Sequence, residues 1–172
     1  MDEKVLVAYG TKYGGTEEIA EKIGGVLKDA GLQVDVLAAD RVSGLASYNA
    51  VVLGSAVYIG RWRKEAAKFL QENELALAEK PVWLFSSGPT GEGDVAELMQ
   101  GWRFPGALQP IADRIKPRDI TIFHGVVDPA KLNFLERWVL KNVKSPIGDF
   151  RDWAAITAWA TAVAAAIAGE QQ

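Results

Sequence analysis

Apolar residues along this chain follow two alternating periods. Short continuous runs at Val5–Tyr9, Leu32–Leu37, Ala50–Ala56, Pro81–Ser86 and Arg118–Phe123 read as strands. Val51-Val52-Leu53 and Val82-Trp83-Leu84-Phe85 have no polar alternation, which predicts burial on both faces. Between the runs, apolar positions recur at helical spacing. Ile19, Ile23, Leu27 and Ala30 predict a helix over Thr16–Ala30, and further helical patterns cover Arg63–Glu79 and Val95–Gly101 continuing to Ile111–Ile115. The last large helix is predicted over Phe150–Ala168. There Trp153, Ile156, Val163 and Ile167 share one face, with Ala160 between them. Trp153–Gly169 carries no charge but falls short of the roughly 20 residues that span a bilayer, so this helix reads as lying on a sheet. Strands alternating with helices imply right-handed crossovers. The chain is therefore expected to be α/β, with a doubly wound five-stranded parallel sheet of order 2-1-3-4-5.

The first strand breaks into Thr11-Lys12-Tyr13-Gly14-Gly15-Thr16 and then into a helix. Unpaired N–H groups and the positive end of the helix dipole make such a junction an anion site. Glycines allow close backbone approach, and Thr11 and Thr16 add hydroxyls. Neither Gly-x-x-x-x-Gly-Lys-Ser/Thr nor Gly-x-Gly-x-x-Gly is present, so the loop has neither the nucleoside-triphosphate nor the dinucleotide pattern. A plain capping turn is the structural alternative. A phosphoacceptor site is excluded in the same way, because strands 1 and 3 end in Tyr9-Gly10-Thr11 and Gly54-Ser55-Ala56 without the required acidic residues.

One segment exceeds a minimal five-stranded fold. Asp128-Pro129 opens a helix that Ser145-Pro146 closes, and Leu132, Leu135, Trp138, Val139, Leu140 and Val143 give it a wide apolar sector. Lys131, Arg137, Lys141 and Lys144 stand against one acid, Glu136. The segment is either a functional insertion or a packing flap.

Composition narrows the function. With 172 residues and 24% charged positions, the chain is expected to be one domain, 1–172, with the insertion at about 125–149. A net charge of −3 argues against nucleic acid as a partner. Zero cysteines exclude disulfides, thiol nucleophiles and cysteine-ligated metals, and no metal site is expected. The opening Met1-Asp2-Glu3-Lys4 runs straight into a strand, which reads as lacking a secretory leader. His124, the only histidine, is either a proton shuttle or a loop hydrogen-bond donor.

Thr11-x-Tyr-Gly-x-Thr16 resembles the Thr/Ser-x-Thr-Gly-x-Thr loop with which flavodoxins hold the phosphate of FMN, with Tyr13 in place of a small hydroxyl residue. The resemblance implies two further FMN-binding segments. Ser55-Ala56-Val57-Tyr58-Ile59-Gly60 would set Tyr58 against the isoalloxazine, with Trp62 a second aromatic in reach; alternatively Tyr58 packs beneath the following helix. Ser87-Gly88-Pro89-Thr90-Gly91 and Gly93-Asp94 resemble the second flavin loop. No aromatic follows before Gly101, which implies an open flavin face.

The whole chain is most similar to the flavodoxin-like family that contains the bacterial menaquinone-dependent protoporphyrinogen oxidases. The phosphate loop carries this likeness together with Gly54–Trp62 running into Lys68-Phe69, the basic-aromatic segment Pro129–Lys144, and Gly148-Asp149-Phe150-Arg151-Asp152-Trp153. The implied architecture is a flavodoxin-like doubly wound sheet with a helical segment inserted after strand 5. The implied activity is FMN-dependent oxidation of protoporphyrinogen IX to protoporphyrin IX, in heme biosynthesis, with a quinone as acceptor. Lys131, Arg137, Lys141 and Lys144 would then meet porphyrin propionates or anionic lipid, giving a cytoplasmic protein with peripheral contact at the inner membrane face. A solvated helix capping the sheet edge is the alternative for that segment. Two rival functions stand beside the oxidase: a flavodoxin-type electron carrier that meets a redox partner protein, and a regulatory module that has lost the flavin.

Overall fold

The computed structural model describes residues 3–143 and 146–170, with the side chains of residues 140–143 outside the description. Five parallel strands form the main sheet: β1 Lys4–Gly10, β2 Gln33–Ala38, β3 Ala50–Tyr58, β5 Val82–Ser87 and β6 Asp119–Phe123. Their order is β2-β1-β3-β5-β6, the expected doubly wound flavodoxin-like arrangement.

The unbroken apolar runs divide by the strand period of two. Leu6, Ala8, Val51, Leu53, Val82 and Leu84 point to one core. That side is covered by α2 Lys64–Glu72, α3 Glu74–Ala78 and α5 Gln109–Ile115, through residues such as Phe69, Leu77 and Ile111. Val5, Val7, Val52, Trp83 and Phe85 point to the other core, beneath α1 Gly15–Asp29 and α7 Trp153–Glu170. Ile19, Ile23 and Leu27 of α1 meet Ile156, Ala160, Val163 and Ile167 of α7 in that core. By length and composition α7 could cross a membrane, yet this face of it is buried on the sheet and α1.

Several elements depart from the sequence pattern. The helix expected over Arg63–Glu79 is divided at Asn73, whose side-chain amide donates to the Phe69 carbonyl and terminates α2. The Val95–Gly101 helix stops after α4 Val95–Leu98, because Gln100 and Gly101 take left-handed conformations. The inserted helix does not start at Pro129: a short 3₁₀ turn covers Pro129–Lys131, and α6 runs over Phe134–Val143. Asn133 and Glu136 cap α6 reciprocally, Oδ1 of Asn133 accepting from the Glu136 N–H and Oε1 of Glu136 from the Asn133 N–H. The last helix begins at Trp153 instead of Phe150, with Asp152 accepting from the Ala155 N–H. Trp153 itself turns away from the buried face; the Arg151 guanidinium lies 4.8 Å from its ring centre.

Two small hairpins complete the architecture. In one, Val57–Tyr58 pairs with β4 Arg61–Trp62 across Ile59 and Gly60, which both have positive φ. In the other, β7 Val126–Val127 pairs with β8 Gly148–Asp149, drawing both ends of the inserted segment together beside the phosphate loop.

Candidate functional site

The C-terminal ends of β1, β3 and β5 open into a cavity of about 510 Å³, within the ~300–1,000 Å³ range of small-molecule sites. It sits beside β1 and β3, where the strand order reverses and doubly wound sheets bind their ligands. Thr11, Tyr13, Gly15 and Thr16 form one end of it, while Ala56, Val57 and Tyr58 form one side and Ser87 and Gly88 the floor.

The loop end gathers backbone N–H groups and hydroxyls. Gly14 adopts φ 90°, and its N–H donates to Oγ1 of Thr11 at 3.0 Å, folding the loop on itself. No side chain caps α1, so its first N–H groups face the loop. The buried Thr16 hydroxyl shares a 2.8 Å hydrogen bond with that of Ser87, which ties the helix start to the end of β5. The Tyr13 hydroxyl is buried without a hydrogen-bond partner.

The inserted segment supplies the remaining wall through Val126–Pro129, Leu132 and Glu136, with Asp149 and Arg151 behind it. The approach is close: a Cβ on Gly15 would stand 2.7 Å from Cγ1 of Val126, and one on Gly125 would stand 2.9 Å from the Gly88 backbone. Lys12 extends along the cavity edge, its ammonium 2.7 Å from the Glu136 carboxylate and just over 5 Å from the ring centres of both Tyr13 and Tyr58 (5.2 and 5.1 Å). This ion pair holds the Glu136 carboxyl below its ordinary range.

Arg151 ties the return strand to the helix start. It makes a two-pronged pair with Asp149 at 2.9 and 2.7 Å and also donates to Glu18 and to the Gly15 carbonyl. Hydrogen bonds from Arg151 hold the Asp149 carboxyl below its ordinary value of 3.8. A depressed carboxylate stabilises the fold above that value and loses its contribution as pH falls through the lower folded value. Asp149→Asn is therefore expected to lower the urea midpoint at neutral pH, with the gap from wild type closing below about pH 3.8. A gap that is constant with pH would contradict the pairing.

Not every expected residue reaches the cavity. Tyr58 does, partly exposed at its edge, and is not packed beneath the next helix. Lys12 and Gly14 shape the loop without lining the cavity, and Ile59 and Gly60 form the exposed hairpin turn. Ser55 is buried instead, its hydroxyl accepting from the Arg63 N–H and donating to the Ala56 carbonyl. Pro89, Thr90, Gly91, Gly93 and Asp94 also lie outside the lining. Asp94 caps α4 through the Ala96 and Glu97 N–H groups, and His124 holds the loop through the Gly93 carbonyl, as a loop hydrogen-bond partner. Trp62 is not a second site aromatic. It is buried on the far side of the hairpin, edge-on to Phe104 and donating to Ser86.

Sequence reasoning did not assign Glu18, Val126–Pro129, Asp149 or Arg151 to the site. The one available signal was Gly148–Trp153, an acid and a base two residues apart between a glycine and a helix. Among the described residues, no cluster of metal-ligating side chains occurs.

A parallel sheet of this order, with an uncapped helix start and a hydroxyl-lined cavity at its reversal point, is an arrangement that can hold a phosphate-bearing ligand. A family model described as a flavodoxin domain matches residues 6–153, and the chain belongs to that family. FMN is its cofactor, and the residues present fit it: backbone N–H groups at the uncapped start of α1 beside Thr11 and Thr16, and a cavity that Tyr58 and Gly88 also line.

Among characterised proteins, the chain is 28% identical over 85 residues to the protoporphyrinogen IX dehydrogenase [quinone] of Escherichia coli K12, covering 48% of this chain and 47% of that one. The match thus spans about half the length of the curated relative. Flavodoxin 2 of Bacillus cereus superposes with a TM-score of 0.59 at 19% identity, over 97% of this chain and 99% of that one. The rubredoxin oxygen:oxidoreductase of Desulfovibrio gigas gives a TM-score of 0.64 at 15% identity, over 98% of this chain and 37% of that one. These two likenesses are of fold.

Proposed function

We propose that this chain is a flavodoxin-type electron carrier, exchanging electrons with a redox partner that docks at the rim of the cavity. The observation that carries this reading is the rim itself. Tyr58 is exposed at one edge, and beside the other, on α6, Phe134 is 86% and Leu135 66% exposed, with Trp138 also exposed. An exposed apolar patch next to a ligand cavity marks an interaction surface.

Bound FMN supplies the electron-transfer chemistry. The protein's part is to hold the phosphate at Thr11–Thr16, to keep the ring compartment between Tyr58 and Gly88, and to present its edge to a partner. Phe134→Ser with Leu135→Ser is expected to slow electron transfer from the reduced protein to cytochrome c about tenfold, since losing two interfacial apolar contacts costs on the order of 1–3 kcal/mol. FMN affinity should not change. Equal rates in stopped flow would remove α6 from the docking surface.

A second reading has a specific observation in its favour. The Escherichia coli relative is a protoporphyrinogen IX dehydrogenase [quinone], which supports a reading in which this chain oxidises protoporphyrinogen IX and passes the electrons to a quinone. In that case the apolar side of α6, flanked by Lys131 and Arg137, would rest on an anionic membrane surface where quinone resides. Of the other residues proposed on this segment, the side chains of Leu140, Lys141 and Val143, and Lys144 and Ser145 altogether, lie outside the described residues.

A further inference from the structure

We propose that Lys131, carried by the inserted segment, is a phosphate-binding residue of the FMN site and makes the site prefer the phosphorylated flavin. This deepens the assignment of Thr11–Thr16 to the phosphate and rests on it. The Lys131 ammonium donates to the Tyr13 carbonyl at 3.1 Å and lies 3.9 Å from the position a Cβ would take on Gly14. It therefore stands over the two residues around which the anion loop turns, and it lines the cavity. An ammonium has three donors, and the carbonyl takes one, leaving two for phosphate oxygens.

The neighbouring cations are already committed. Lys12 is paired with Glu136 and held between two tyrosine rings, and Arg151 is paired with Asp149 and Glu18. Among the described residues, neither Lys131 nor Arg137 makes an ion pair with a carboxylate; Arg137 donates to the Pro129 carbonyl, whereas Lys131 stands over the loop, so its charge is open to an anion held there. Position 13 carries a phenol in place of a small hydroxyl residue, and that phenol's hydroxyl is buried without a partner. Lys131 is the donor that the insertion adds beside this position.

Riboflavin, which has the same ring system and no phosphate, separates this role from mere packing. Lys131→Gln in the full chain is expected to weaken FMN binding about tenfold at low salt, in line with one charge-assisted hydrogen bond. Riboflavin affinity should stay within about twofold of wild type, and Lys131→Arg should retain most of the FMN affinity. The difference between wild type and Lys131→Gln should shrink in 0.5 M salt, about where screening lengths fall to a few ångströms. FMN and riboflavin weakening in parallel, or neither changing, would overturn the proposal. A wild-type protein that binds the two flavins equally would overturn the phosphate-loop assignment as well. A wild type that prefers FMN, with the preference intact in Lys131→Gln, would overturn only the role of Lys131.

Discussion

Gly14→Pro combined with Thr16→Ala will weaken FMN binding by roughly 100-fold or more. Hydrogen bonds to a charged group are worth about 1.5–3 kcal/mol each, and each 1.4 kcal/mol is tenfold in affinity. Proline fixes φ near −65°, whereas Gly14 sits at 90°. The substitution also deletes the N–H that donates to Thr11 and draws the loop closed. Thr16→Ala removes a buried hydroxyl at the first turn of α1 and leaves that of Ser87 without its partner. Both changes act at the open end of the helix, where an anion gains most from backbone N–H groups and the dipole. Fluorescence titration with FMN checks the result, and far-ultraviolet circular dichroism confirms that the sheet has formed. A folded double variant with wild-type affinity would move the phosphate elsewhere.

The second large effect concerns the centre of the sheet. A Cβ on Gly54 would stand 2.0 Å from Cζ of Phe85, its register partner on β5, and that ring is fully buried. Gly54→Ala therefore forces either the ring or two central strands to move. Overpacking of this kind costs about 3 kcal/mol, and for a chain of this size the melting temperature should drop by about 6–12 °C. Adding Phe85→Leu, which removes the ring, should recover part of the loss, because neighbours in contact do not act additively. An unchanged melting temperature in Gly54→Ala would contradict the packing of β3 on β5.

Gly54 also shows what the sequence could and could not reveal. Its position inside an apolar run marked it as strand, and the run's neighbours placed that strand in the middle of the sheet. Nothing local says that a glycine is needed because a phenylalanine 31 positions later folds over it (85 − 54). The same limit applies to Trp62. Two aromatics near a strand end both read as site walls, but the tight turn at Ile59-Gly60 reverses the chain and sends Arg61 outward and Trp62 into the core.

The turn from β1 into α1 was legible because its parts are contiguous: strand end, small residues and helix start. The wall opposite Tyr58 was not. It forms only when β7 and β8 pair, and two-residue strands carry no periodicity to detect. Lys131 accordingly read as a charge for propionates, anionic lipid or solvent, and Arg151 as part of a helix lead-in, although the hairpin brings one to the Tyr13 carbonyl and the other to Gly15.

The chain's role as a carrier can be tested most directly by asking whether it has a substrate of its own. FMN-loaded protein, verified by its bound-flavin absorbance, is mixed anaerobically with protoporphyrinogen IX and a soluble naphthoquinone, and protoporphyrin fluorescence is followed. An electron carrier leaves the fluorescence at the level of the protein-free control. A rise that requires both FMN and quinone would contradict that role and establish the chain as a porphyrinogen oxidase.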